Sequence, residues 1–316
     1  MAFDHKHLID ITEYSADDIM TILETAKTFK QVNERRIKKV PTLKGFTVVN
    51  MFNEPSTRTR SSFEIAEKRL SADSLNFGGS STATVKGESL VDTVKTLCSY
   101  KIDCIVVRDR WAGVPRKIAD VSGVSVIDAG DGKHQHPTQA LLDLYSIWEE
   151  KGSFDNLHVG VVGDISHSRV CGSLIPALKI MGCEVTVIAP PTLLPARPDI
   201  LGADHVTSNL DEAIEEIQPD AVMMLRIQRE RFEGAPYPNL REYNLLYGLT
   251  EERDKLLKPD ACVCHPGPIN RGVELDSFMA DHPKRSIILD QVYAGVLVRM
   301  AALYLLLGGS NDGIDA

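Results

Sequence analysis

The segment that begins at Ser56 has the residue types of a phosphate site. It reads Ser56-Thr57-Arg58-Thr59-Arg60 and is followed by apolar residues at helical spacing, so we expect a helix to begin there with Arg58 and Thr59 in its first turn. Backbone N–H groups at a helix start, the positive end of the helix dipole and a guanidinium all attract an anion. The segment therefore indicates phosphate binding, although surface arginines at a solvated helix start would give the same pattern.

His136 and Gln139 form a second candidate pair. They lie three residues apart at another predicted helix start, where Pro137 suits the first turn, so both side chains can face one point. An imidazole and a carboxamide offer neutral donors and acceptors to a carbonyl or an amide group, although a His-Pro pair is often structural. The chain has no Gly-x-Ser-x-Gly sequence and no evident nucleophile with a partnering base, so the chemistry would rest on positioning and electrostatics.

Further polar and cationic residues follow apolar runs that are predicted to form strands. These runs are 46–52, 104–107, 124–127, 158–162, 185–189, 221–225 and 261–264. After four of them come Arg108, Arg169, Arg226 and the segment His265-Pro266-Gly267-Pro268. Because ligands of open α/β sheets bind beyond the carboxyl ends of the strands, we expect these residues to concentrate positive charge at a strand-end surface.

Helical patterns separate the apolar runs, which predicts an α/β protein with largely parallel, doubly wound sheets. Three helices are clearest: one after Pro137, one between Ser168 and Met181, and one from Gln291 to Leu307. A length of 316 residues favours two domains. We place the boundary in the polar segment near 150, giving domains 1–149 and 150–290. Helix 291–316 is expected to pack back onto the first domain, although the pattern would also fit the second.

Composition limits the class of protein. The net charge of −9 argues against nucleic acid or an anionic membrane as a partner, and no signal-peptide or membrane-spanning pattern is evident. We therefore expect a cytoplasmic protein. The six cysteines include no Cys-x-x-Cys pair, which predicts buried reduced thiols and no zinc site or disulfide framework. Cys262 and Cys264 alternate along a predicted strand, and we expect them to face opposite sides.

Residues 56–64 resemble the carbamoyl phosphate signature of the aspartate and ornithine carbamoyltransferase family. Three further segments resemble the family in the expected order, at 136–139, 163–170 and 265–272. The resemblance covers nearly the whole chain. It implies two α/β domains with the active site in the cleft between them, and no metal or organic cofactor.

The resemblance also implies roles for individual residues. Carbamoyl phosphate would be bound by Ser56, Arg58, Thr59, Arg108, His136, Gln139 and the segment around Gly267 and Pro268. Aspartate would be bound by Lys86, Arg169, Arg226 and Gln228. The catalytic residues would be Arg58, Thr59, Lys86, Arg108 and His136, of which Thr59, Arg108 and His136 would polarise the carbamoyl oxygen.

The amino acid acceptor is predicted from charge. Aspartate brings two carboxylates, and Arg169, Arg226 and Gln228 resemble the aspartate branch of the family, as does His-Pro-Gly-Pro where ornithine enzymes typically have His-Cys-Leu-Pro. The expected products are N-carbamoyl-L-aspartate and phosphate, in the committed step of pyrimidine biosynthesis. Alternatives are ornithine or a modified acceptor, or a nucleotide-binding module, although segment 160–164 lacks G-x-G-x-x-G. A catalytically inactive scaffold is disfavoured because the residues that the family uses to bind its anionic substrates are all present: Arg58, Lys86, Arg108, His136, Arg169 and Arg226.

Lys86 resembles a lysine that family members donate to the active site of a neighbouring subunit. This resemblance implies a homotrimer with shared sites, and some family members add regulatory or dihydroorotase chains. Which hydroxyl of the Ser80–Thr84 loop would enter the neighbouring site is left open.

Overall fold

The structure is a computed structural model that describes residues 3–78, 87–227 and 239–308. The chain divides into two compact units. The first contains Met1–Leu141 and Tyr293–Ala316, and the second contains Leu142–Val292.

The first unit is built on a parallel sheet. Its strands are β1 (His7–Leu8), β2 (Thr47–Phe52), β3 (Asp73–Phe77), β4 (Cys104–Asp109) and β5 (Ser125–Asp131), in the order β1-β5-β4-β2-β3. The helices that connect them are α1 (Ala16–Glu34), α2 (Thr57–Arg69), α3 (Leu90–Ser99) and α4 (Val114–Ser122). Because neighbouring strands are parallel, the carboxyl ends of β2, β4 and β5 meet at one edge.

The second unit repeats this architecture. Its strands are β6 (His158–Val162), β7 (Glu184–Ile188), β8 (His205–Thr207), β9 (Ala221–Met224) and β10 (Cys262–Cys264), all parallel, in the order β10-β9-β6-β7-β8. Its helices are α6 (Arg169–Ile180), α7 (Leu210–Glu212), α8 (Leu240–Tyr247), α9 (Glu251–Asp254) and α10 (Ser277–Ala280). Helices α5 (Pro137–Lys151) and α11 (Ile288–Leu306) each contain a division between the two units.

The predicted α/β class is confirmed, and all seven apolar runs form strands. The central strands are buried on both faces, which explains why they read as unbroken apolar runs. Three strands were missed. β3 and β8 are edge strands with several exposed residues, and β1 has only two residues, so none of them has a strong apolar pattern.

Each unit has its own apolar core. In the first, Val49, Ile105 and Val126 belong to one buried cluster formed across three neighbouring strands. The second unit has a corresponding buried cluster, which includes Val162, Val222 and Val263 on three neighbouring strands. Burying such side chains contributes about 1.5–3 kcal/mol each, which fixes the strands whose ends carry the polar residues.

The cysteines are free, and all are buried except Cys98, which is half-buried. The expectation that Cys262 and Cys264 face opposite sides is wrong. A hydrogen bond with Cys262 raises the pKa of the Cys264 thiol, so the two share a face, as residues two apart on a strand do.

Helix α11 is long and apolar enough to cross a membrane by length and composition alone. However, 72% of its most apolar window is buried within the protein, and it contains the buried cation Arg299, 4% exposed. These features are typical of the core helix of a globular protein.

Candidate active site

The ends of β2 and β4 lie side by side in the first unit. Phe52 is the register partner of Arg108, and the next residue, Asn53, donates its backbone N–H to the Arg108 carbonyl at 2.9 Å. The loop that leaves β2 therefore passes directly over the end of β4. Glu54, two residues before Ser56, also donates its backbone N–H to the Arg108 carbonyl, at 3.4 Å.

Ser56 is the N-cap residue of α2 and has an extended backbone, so the predicted helix start is confirmed. Its hydroxyl lies 3.0 Å from Thr59 Oγ1 and makes no capping bond to a backbone N–H of the helix. The positive end of α2 is thus not neutralised by its own cap side chain. Arg58 is exposed in the first turn, whereas Thr59 is buried.

Arg108 connects this loop to the next strand. Its Nη1 donates to the Ala129 carbonyl on β5 at 3.0 Å, and its Nη2 lies 3.5 Å from Glu54 Oε1. The side chain is 13% exposed, so the guanidinium is largely withdrawn from water. Partial burial strengthens its interaction with an anion.

His136 and Gln139 follow β5 and are both buried. The turn before them is held by the buried carboxylate of Asp131, which accepts the N–H groups of Gly113 at 2.7 Å and Gln135 at 2.8 Å. The His136 carbonyl accepts the Gln139 N–H at 2.9 Å. The predicted helix start is therefore present, and both residues lie in its first turn or just before it.

Sequence reasoning missed Arg299, whose side chain contacts two of these helices. Its guanidinium lies 5.1 Å from the ring centroid of Phe63 on α2, and its Nη2 is 3.4 Å from Thr138 Oγ1 on α5. The available signal was a charge inside an otherwise apolar tract. Arg299 joins the helix that begins at Ser56 to the one that follows His136.

Glu67, also on α2, is fully buried. Desolvation raises the pKa of its carboxyl to about 7. The hydrogen bond from Asn50 Nδ2, at 3.0 Å, lowers the pKa, but by less than desolvation raises it. Asn50 belongs to β2, so this contact fixes α2 against the strand that precedes it.

In the second unit, Arg169 is the first residue of α6 and is buried, 4% exposed. The loop before it is anchored by the buried Asp164, whose Oδ1 lies 2.8 Å from His167 Nδ1 and also accepts the His167 N–H. Gly163 begins this loop with φ +126°. A Cβ there would meet the Leu225 carbonyl oxygen at 3.1 Å, so both the backbone conformation and the close approach of β6 and the end of β9 favour glycine.

Arg226 lies two residues after the end of β9 and is half-buried. The next residue, Ile227, is buried, and its carbonyl accepts the side-chain N–H of Asn270 at 3.2 Å. Asn270 comes two residues after Pro268, so this bond joins the loop that carries Arg226 to the loop that carries Gly267 and Pro268. The Gly267–Pro268 peptide bond is cis.

In the first unit, Ser56 and Thr59 are hydrogen-bonded to each other, and the loop before them contacts Arg108. Arg108 also contacts β5, the strand that His136 follows. In the second unit the structure groups Arg226 with the Gly267–Pro268 segment, and Arg169 follows the strand beside β9. Lys86, Gln228 and the Ser80–Thr84 loop lie outside the described residues. Within the parts of the chain that the structure describes, no group of three His, Cys, Asp or Glu side chains could hold a metal ion.

Two domain models of one protein family match most of the chain. Residues 6–149 match the model of the aspartate/ornithine carbamoyltransferase carbamoyl-P binding domain, and residues 155–306 match the Asp/Orn binding domain. The aspartate carbamoyltransferase catalytic subunit of Syntrophotalea carbinolica is 54% identical over 98% of both chains.

Two solved structures extend this likeness to the fold. Aspartate transcarbamoylase from Trypanosoma cruzi, in complex with N-(phosphonacetyl)-L-aspartic acid, is 29% identical over 97% of both chains with a TM-score of 0.87. Ornithine carbamoyltransferase from Pyrococcus furiosus is 28% identical over 98% of this chain and 99% of its own, with a TM-score of 0.85. The fold is therefore shared by both branches, and the chain belongs to the aspartate/ornithine carbamoyltransferase family.

Proposed function

We propose that this chain transfers the carbamoyl group of carbamoyl phosphate to the amino group of L-aspartate, giving N-carbamoyl-L-aspartate and phosphate. The observation that carries the proposal is Arg108, whose contacts join the loop of the phosphate-binding segment to the strand that leads to His136. The choice of aspartate is supported by the 54% identity to an aspartate carbamoyltransferase catalytic subunit. The product would enter pyrimidine biosynthesis, as its first committed intermediate.

Carbamoyl phosphate is proposed to bind first, to the domain formed by residues 1–149 and the C-terminal segment 291–316. Its phosphate group is held at the start of α2, where the helix dipole and a guanidinium favour an anion. The residues proposed to bind carbamoyl phosphate as a whole are Ser56, Arg58, Thr59, Arg108, His136, Gln139, Gly267 and Pro268. Gln139 and the carbonyls of the last two residues accept the carbamoyl N–H groups.

Aspartate is proposed to bind to the domain formed by residues 150–290. A dicarboxylate needs fixed cations, and Arg169 and Arg226 each follow a strand of the central β9-β6 pair of this unit. The proposed ligands are Lys86, Arg169, Arg226 and Gln228.

The reaction needs little proton chemistry from the protein. The aspartate amine attacks the carbonyl carbon, a C–N bond forms, and the tetrahedral intermediate carries a negative oxygen that Thr59, Arg108 and His136 stabilise. The bond between carbon and the phosphate oxygen then breaks, Arg58 stabilises the departing phosphate, and phosphate takes the amine proton. Catalysis on this scheme comes from orientation and preorganised donors.

The assembly is proposed by likeness to the family. Lys86 would complete the site of a neighbouring subunit, which requires an oligomer. By likeness to the family we propose a homotrimer, to which some family members add regulatory or dihydroorotase chains. We further propose that the enzyme acts in the cytoplasm. Sedimentation of the purified chain tests the trimer: a monomer that is fully active would contradict the shared site.

An assay for carbamoyl aspartate tests the function. The purified chain is supplied with carbamoyl phosphate and either L-aspartate or L-ornithine, and both carbamoylated products are measured. We expect product from aspartate and none from ornithine. Product from ornithine alone would show that the acceptor is misassigned, and product from neither would contradict the proposed activity. Calorimetric titration with nucleotides tests the alternative of a binding module.

A further inference from the structure

Three buried polar side chains surround the Gly267–Pro268 segment and belong to neither proposed set of ligands. They are His265, Glu274 and Gln291, each at most 2% exposed. Buried polar groups are costly unless they are hydrogen-bonded, so their partners indicate what they hold in place.

The ring of His265 is hydrogen-bonded to the Gly267–Pro268 segment. The Gly267 N–H donates to His265 Nδ1 at 2.7 Å. Because Nδ1 accepts this bond, the proton of the neutral ring lies on Nε2, which is 3.1 Å from Glu274 Oε1 and donates to it. The same Oε1 accepts the Asn270 N–H at 2.6 Å. One buried carboxylate therefore holds the ring of His265 and the chain just after Pro268.

Gln291 holds the backbone of His265. Its Oε1 accepts the His265 N–H at 2.8 Å, and its Nε2 donates to Asp143 Oδ1 at 2.7 Å. Since the amide is used as acceptor on one side and donor on the other, its orientation is fixed by both partners. His265 is thus held at its backbone by α11 and at its ring by Glu274.

We propose that His265, Glu274 and Gln291 form a positioning relay that keeps the Gly267 and Pro268 carbonyls aimed at the carbamoyl N–H groups, and so selects carbamoyl phosphate over acetyl phosphate. This inference rests on the proposed function. Acetyl phosphate has the same phosphate group but a methyl group in place of the amide nitrogen. Carbonyls held in fixed positions are satisfied by an N–H and left unpaired by a methyl, and this difference is the source of selectivity.

Replacing His265 by its two amide mimics separates the relay from general stability. In His265→Asn the side-chain oxygen can take the place of Nδ1 and accept the Gly267 N–H. In His265→Gln the amide reaches the position of Nε2, so the hydrogen bond to Glu274 is kept and the hydrogen bond from the Gly267 N–H is lost. Both variants remove the ring, and a purely structural role predicts similar effects from both.

The measurement is the KM for carbamoyl phosphate and the competitive inhibition constant of acetyl phosphate at saturating aspartate. Selectivity is expressed as the inhibition constant of acetyl phosphate divided by the KM for carbamoyl phosphate. We expect His265→Gln to lower selectivity about tenfold, the effect of losing one well-placed hydrogen bond, and His265→Asn to stay within about threefold of the parent. Equal selectivity in the two variants, or a loss that affects both ligands alike, would overturn the proposal.

Glu274→Gln is a second variant, which retains the side-chain volume and weakens the acceptor shared by His265 and Asn270. It should lower selectivity in the same direction by a smaller factor. Asp281→Ala is the matched control, because it removes an exposed ion pair with Arg271, at 2.7 Å, from the same region and should leave selectivity unchanged. If none of the relay variants folds, the network serves the fold and the proposal is overturned.

The parent enzyme separates this test from that of the proposed function. If the parent makes no carbamoyl aspartate, the function itself fails. If the parent is active and the variants keep its selectivity, only the relay fails.

Discussion

The Arg108 guanidinium donates a 3.0 Å hydrogen bond to the Ala129 carbonyl, and this bond crosses from β4 to β5 at the carboxyl edge of the first sheet. The same guanidinium lies 3.5 Å from Glu54, in the loop that leads to Ser56. A single side chain therefore touches both segments that lead to the proposed carbamoyl phosphate ligands. Its planar fork can keep these contacts while presenting a further N–H to a substrate oxygen.

Arg108→Lys should lower kcat by about 10²–10³, the usual effect of removing one preorganised donor to a developing negative oxygen. Lysine keeps the charge, but its single ammonium cannot hold the Ala129 carbonyl, Glu54 and a substrate in the geometry of the guanidinium. Steady-state kinetics with both substrates saturating measures the effect. Arg116→Lys, at an exposed ion pair with Glu13 in the same unit, is the control and should stay within about twofold.

Arg226→Ala should chiefly weaken aspartate binding. Removing a guanidinium that pairs with a carboxylate should raise the KM for aspartate by about 10–10², and the KM for carbamoyl phosphate should change little. Arg241→Ala, an exposed arginine on α8 of the same unit, provides the control. An unchanged KM for aspartate in Arg226→Ala would show that this residue is not an aspartate ligand.

The strands that carry the candidate site could be predicted because they are buried on both faces and read as continuous apolar runs. The start of α2 could also be predicted, since Ser56 and the apolar residues after it give a local signal. β3 could not, because its edge position leaves Asp73 and Asn76 exposed and removes the apolar pattern.

The buried polar contacts could not be predicted from the sequence. Gln291 contacts both His265 and Asp143, which are 26 and 148 residues away along the chain. Such partners are brought together only by the packing of separate elements, and spacing along the sequence has no information about them. Arg299 left a weak signal as a charge in an apolar helix, but its contact with Phe63 required the fold.

Gly163→Ala tests the close approach of β6 and β9. Its φ of +126° is strained for alanine, and the added Cβ would lie 3.1 Å from the Leu225 carbonyl oxygen and 3.2 Å from Tyr243 Oη. We expect a loss of about 1–3 kcal/mol of stability in urea unfolding. Since Leu225 precedes Arg226, the KM for aspartate should rise more than that for carbamoyl phosphate.

Gly152→Ala is the matched control for this contact. Gly152 also has a positive φ, +80°, but a Cβ there meets no atom within 4 Å. The Gly152→Ala variant should lower the free energy of unfolding only by the backbone strain, about 1–2 kcal/mol, and should leave both KM values unchanged. If the two variants have the same kinetics, the contact between Gly163 and the end of β9 does not position Arg226.

Glu67 predicts how stability depends on pH. Its pKa is raised from 4.5 to about 7 in the folded protein, so the native state holds a proton that the unfolded state has already lost between these values. Unfolding therefore releases a proton in this range, and stability falls as pH rises from about 4.5 to about 7. The full contribution is roughly 3 kcal/mol, and above pH 7 it no longer changes.

Glu67→Gln removes this dependence while keeping an oxygen that can accept the Asn50 bond. Urea unfolding of both proteins between pH 5 and pH 8 measures it, and the difference between the two curves cancels the other titrating groups. At pH 5 Glu67 is neutral in the native state, so the two stabilities should nearly agree. At pH 8 the variant should be more stable, by up to about 3 kcal/mol. Parallel curves would mean that the Glu67 carboxyl titrates alike in the native and unfolded states.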